Sequence, residues 1–83
     1  MNQNAFDGSS LMITCVGQEQ CVVHFEPWGT EHLLRSDDWF KLTTNALASG
    51  HVEVSVTPDG LIVGIATDDE VQIINKSGSA LDL

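Results

Sequence analysis

With 83 residues the chain has room for one modest core, and its twelve Asp and Glu against Arg35, Lys41 and Lys76 leave a net charge of −9. That charge repels phosphate backbones and anionic bilayers, so neither nucleic acid nor membrane is an expected partner. No run approaches the ~20 apolar residues of a membrane helix, Met1–Ser10 has neither the cationic nor the apolar part of a secretory leader, and a cytoplasmic location is expected.

In chain order, residues 1–10 (MNQNAFDGSS) read as a polar tail with Phe6 as its apolar anchor, and residues 11–83 as a single β domain. Leu11–Val16 and Cys21–Glu26 are rich in β-branched residues and flank Gly17–Gln20. Leu11, Ile13, Cys15, Cys21, Val23 and Phe25 are all odd-numbered. If the two runs form a hairpin, the apolar sets share a face only when odd pairs with odd, which places Cys15 opposite Cys21. Pro27-Trp28-Gly29-Thr30 is a turn, Glu31–Arg35 a short strand, and Ser36-Asp37-Asp38 a second turn. Trp39–Thr44 alternates again, with Phe40 and Leu42 on one face and Trp39, Lys41 and Thr43 on the other. Residues 45–50 have helix-friendly side chains, but six residues support at most one helical turn.

His51–Val56 is the clearest strand: Val52, Val54 and Val56 alternate with His51, Glu53 and Ser55, the pattern of one wet face. Thr57-Pro58-Asp59-Gly60 is a strong turn. Leu61–Ala66 is apolar on both faces and reads as a central, doubly covered strand, with Gly64 marking a bulge or a close backbone approach. A turn at Thr67–Glu70, a strand at Val71–Asn75, a turn at Lys76–Ser79 and a terminal strand at Ala80–Leu83 complete the pattern. The implied fold is all-β, a small antiparallel barrel or sandwich of about six to eight short strands.

Little in this pattern carries chemistry. Cys15 and Cys21 read most simply as two small buried thiols, with a disulfide as the alternative. Their spacing to His24 and His32 lacks the tight pairs of a zinc site. His24, His32 and His51 lie near Glu26, Glu31 and Glu53, as surface charge balancing does. Neither Asp37-Asp38 nor Asp68-Asp69-Glu70 has the spacing of a calcium loop. No nucleophile elbow or phosphate-cradling glycine loop is present. No catalytic residue, metal or cofactor is therefore expected.

What remains is a non-enzymatic, acidic protein-interaction module: an inhibitor, immunity-type factor, adaptor or assembly subunit. Its expected partner is a protein with a basic surface. The candidate binding residues are Trp28 and Trp39, as aromatic anchors, with Asp37, Asp38, Asp68, Asp69 and Glu70 as the acidic rim. Two other readings stand beside it: a small-molecule or metal-binding β-barrel using His24, Glu26, Glu31, His32 or His51, and a mimic of nucleic-acid charge. Homo-oligomerisation through an edge strand is a further expectation, with Leu81 and Leu83 forming the edge.

Overall fold

Alternating apolar residues and closely spaced turn formers leave the backbone no route to a long helix, and the fold is all-β. The computed structural model describes residues 9–83. Residues 1–8 of the expected tail, with Phe6, lie outside the described residues, and Ser10 already belongs to a strand. Seven strands follow in order: β1 (Ser10–Thr14), β2 (Gln20–Glu26), β3 (Thr30–Arg35), β4 (Trp39–Thr44), β5 (Val52–Thr57), β6 (Gly60–Ile65) and β7 (Val71–Asn75). One 3-10 turn, Asn45–Leu47, sits where a single helical turn is expected, capped by Thr44 Oγ1 accepting from Ala46 N–H at 3.2 Å.

The strands form two open sheets, β1-β4-β7 and β3-β2-β6-β5, and no closed barrel. Four of the five pairings are antiparallel. The exception is β2 beside β6, which run parallel with Phe25 opposite Val63. Between them the chain visits β3, crosses to the other sheet and returns, a connection that short hairpin signals do not reveal.

The inward faces follow the alternation. Ile13 lies opposite Phe40, Leu11 opposite Leu42, and Leu42 opposite Ile73 in the three-stranded sheet. Val23, Phe25, Leu34 and Val63 answer them from the four-stranded sheet, and all four are buried. At roughly 1.5–3 kcal/mol for each large side chain removed from water, these residues supply the main favourable contribution to folding.

The Cys15–Cys21 hairpin does not form. β1 pairs with β4 instead, so residues 15–19 carry the chain from one sheet to the other. The two cysteines still meet, with Cα atoms 6.0 Å apart, and they form a disulfide instead of two free thiols. The hairpin expectation fails because parity fixes which face a side chain takes but not which strand lies beside it. The thiol expectation fails because the crossover itself brings the two side chains within disulfide distance.

Three other expectations need correction. Gly64 makes no bulge; it sits in continuous register opposite both Glu26 and Glu53. β6 is central, yet its outer residue Ile62 is only half-buried, so the strand is covered on one face. Ala80–Leu83 is no strand: Ala80 forms a lone bridge to Ile74, Leu81 N–H donates to Ile73 O at 2.8 Å, and Leu81 and Leu83 pack on the core instead of forming an exposed edge.

The sandwich is closed on one side and open on the other. On the closed side, Asp82 O lies 3.1 Å from His32 Nε2, and the His32 ring packs against Phe25 and Phe40 with centroids 5.8 and 6.1 Å away. On the open side the covering sheet is one strand narrower than the sheet beneath it. Register puts Val52, Val54 and Val56 on the same inward face as Ile65, Val63 and Leu61. No described residue covers the far end of that face: Val54 is 45% and Val56 84% exposed. The valine alternation of β5 was readable, but the burial it implied was not.

Candidate functional site

Register sorts every turn to one of two ends of the sandwich. The β2–β3 turn, the segment after β4 and the β6–β7 connection share one end. The residue 15–19 crossover, the β3–β4 turn and the β5–β6 turn share the other. Trp28, Asp68, Asp69 and Glu70 therefore lie at the first end, and Trp39, Asp37 and Asp38 at the second. The two groups stand a full β3 length apart, about 20 Å for six residues. The seven candidate binding residues do not form one surface.

At the second end the carboxylates serve the turn. Asp37 takes a left-handed backbone (φ 65°) and its N–H donates to Cys15 O at 2.8 Å. Asp38 N–H donates to Arg35 O, and Asp38 Oδ1 accepts from Trp39 N–H at 2.8 Å. Trp39 is half-buried at the start of β4. Arg35 and Lys76 border a shallow groove of about 480 Å³ with Asp37 and Asp38, so positive and negative charges mix there.

The first end is different. Trp28, 40% exposed, stands between Pro27 and Gly29, whose N–H donates to Phe25 O at 2.9 Å. Glu26, Glu53, Asp68, Asp69 and Glu70 surround this end, and Glu31 follows on β3. None of the three Lys and Arg residues lies here: Arg35 and Lys76 are at the second end, and Lys41 is mid-strand in β4 opposite Met12 and Ile74. The charge is polarised along the strands.

At the same end, lined by Pro27 of the Trp28 turn, lies a groove that sequence reading does not anticipate. Glu26, Gly64 and Glu53 form one row across β2, β6 and β5 on the outer face. Gly64 makes the floor, Pro27 and His51 contribute walls, and the space is about 550 Å³. A Cβ on Gly64 would meet nothing nearer than Glu53 O at 3.8 Å, so the backbone does not demand glycine there. Gly64 was the available signal, yet it pointed equally to a bulge. A third groove, about 350 Å³, opens between Ile13 of β1 and Val56 and Leu61 of the β5–β6 hairpin, under the uncovered inner face.

The histidines are dispersed. His24 faces outward opposite Glu31, His32 faces the core, and His51 precedes β5 with Nδ1 3.0 Å from Ser49 Oγ. Among the described residues no three His, Cys, Asp or Glu side chains gather as metal ligands, and no helix is long and apolar enough to cross a membrane. Comparison with protein-family models, characterised proteins and solved structures finds no match, so the functional reading rests on the residues themselves.

Proposed function

We propose that this domain is a non-enzymatic interaction module for a protein with a basic surface, engaged through the end that carries Trp28. The observation that supports this reading is the charge polarity. Six carboxylates lie toward that end without a Lys or Arg among them, around an aromatic side chain that is partly exposed. Trp offers a large rigid contact area, and an acidic surround raises the rate of encounter with a cationic partner more than it raises affinity. Asp68, Asp69 and Glu70 are the rim of this surface, whereas Trp39, Asp37 and Asp38 are turn-building residues outside it.

The test uses oligolysine as a probe and Trp28 as the reporter, with Trp39→Phe removing the other indole. Oligolysine is expected to change the Trp28 fluorescence at low salt and to lose affinity steeply as salt rises. An Asp68→Lys/Glu70→Lys variant is expected to bind about tenfold more weakly, or about 1.4 kcal/mol. Salt-independent binding, or none at low salt, would overturn the proposal.

A further inference from the structure

We infer that the free edge of β5 accepts an extended segment of the partner, one in which apolar residues alternate with Lys or Arg. The inference rests on the reading of a basic protein partner and names how that partner is held.

Strand β5 hydrogen-bonds only to β6 among the described strands, so half of its backbone groups point away from the sheet. The usual protections of an edge are thin here. Its six residues carry one charge, Glu53, and no proline; Pro58 lies beyond, in the turn. Strand β7 is partly covered by the Ala80 bridge, and β3 carries Glu31 and Arg35 and is latched through His32. Strand β1 is also an edge, but its inward Ile13 is already buried, so an added strand there gains less. Among the described strands, β5 alone combines a free edge with strongly exposed inward apolar residues.

The two faces of β5 ask for different side chains. A residue paired with Val54 or Val56 lies on the inner face and takes those valines out of water. A residue paired with Glu53 lies on the outer face, beside a carboxylate whose neighbour across the Gly64 floor is Glu26. The Glu26 and Glu53 backbones are two strand spacings apart, about 10 Å. Glu53 is therefore the carboxylate beside a cation placed at the edge. Glu26, about three strand spacings or ~14 Å from that cation, adds only a screened contribution to the same acidic face. The sequence that answers is apolar, basic, apolar in successive positions, and strand addition supplies the backbone hydrogen bonds.

A second copy of this chain answers it poorly. In every antiparallel register that keeps the valines on one face, β5 of a second copy offers Glu53 no Lys or Arg, and it doubles a charge of −9.

The experiment titrates the full isotope-labelled chain with two peptides of the same composition, one with Val and Lys alternating and one with all Val before all Lys. The alternating peptide is expected to shift the Val52–Thr57 amides and slow their hydrogen exchange. Val56→Asp and Glu53→Lys, both surface changes whose melting curves verify the fold, are each expected to weaken it about tenfold. Equal binding of the two peptides with β5 amides unmoved overturns the strand-addition inference and leaves the basic-partner reading standing. Failure of both peptides at low salt overturns both. Shifts of the β5 amides on concentrating the protein alone identify a second copy as the occupant, and contacts from the Phe6 ring to the Val54 and Val56 methyls identify the chain's own beginning. Either result overturns the inference.

Discussion

Two glycines of β6 illustrate how differently one residue type can be constrained. Gly60 has φ 145°, and a Cβ built there would overlap the carbonyl oxygen of Val22 on the neighbouring strand. Backbone does not yield as a flexible side chain does, so Gly60→Ala is expected to cost at least about 2 kcal/mol. In a domain of this size that lowers the melting temperature by roughly 10 °C or more. Gly64 carries neither constraint. Glycine within a strand is entropically unfavourable by roughly 0.5–1 kcal/mol, so Gly64→Ala is expected to leave stability unchanged or raise it by that much. Parallel thermal melts of the two variants check both statements. A Gly64→Ala loss as large as that of Gly60→Ala would mean that the floor between Glu26 and Glu53 is structurally required.

At the scale of elements, the Cys15–Cys21 disulfide fastens the crossover between sheets. Its loop is short, with a sequence separation of 6, so the chain-entropy gain is about 2 kcal/mol. A Cys15→Ala/Cys21→Ala variant is expected to lose roughly that much in denaturant unfolding, with the slope of the transition raised because the unfolded chain is less constrained. Strand positions were largely readable from the sequence, because period-two alternation and the Thr-Pro-Asp-Gly turn are local signals. The 3-10 turn and the facing of Phe40 and Leu42 were readable for the same reason. Partnership between strands was not. That β1 lies beside β4, and β2 parallel to β6, depends on contacts far apart in sequence that parity leaves undetermined. The candidate site suffered most from this. Trp28 and the acidic residues could be named singly, but which of them share an end follows only from strand order. The open flank is a property of sheet width, which no single strand encodes: Val56 and Val63 look alike in sequence, yet one is 84% exposed and the other fully buried.

Taken whole, the molecule spends part of its stability on its charge distribution. Like charges concentrated toward one end repel one another in the folded state more than in the expanded chain, and this repulsion opposes folding. Asp69 is exposed in the β6–β7 connection, where its backbone N–H donates to Thr67 Oγ1 at 2.9 Å and its side chain makes no hydrogen bond or ion pair among the described residues. Replacing its side chain therefore changes charge and little else. Asp69→Asn is expected to raise the melting temperature at low salt, and Asp69→Lys to raise it about twice as far, by a few degrees. Arg35→Glu, which adds negative charge at the mixed end, is expected to lower it. In about 1 M salt the Debye length falls to ~3 Å and all three differences should vanish, while the unsubstituted protein itself becomes more stable. Scans at both salt concentrations separate this account from a local one. A difference that persists in high salt would trace to a contact of the Asp69 side chain, and the field would not be its cause. If the account holds, Asp69→Lys gains stability while weakening oligolysine binding. That opposition is the expected signature of carboxylates retained for a partner at the expense of the fold.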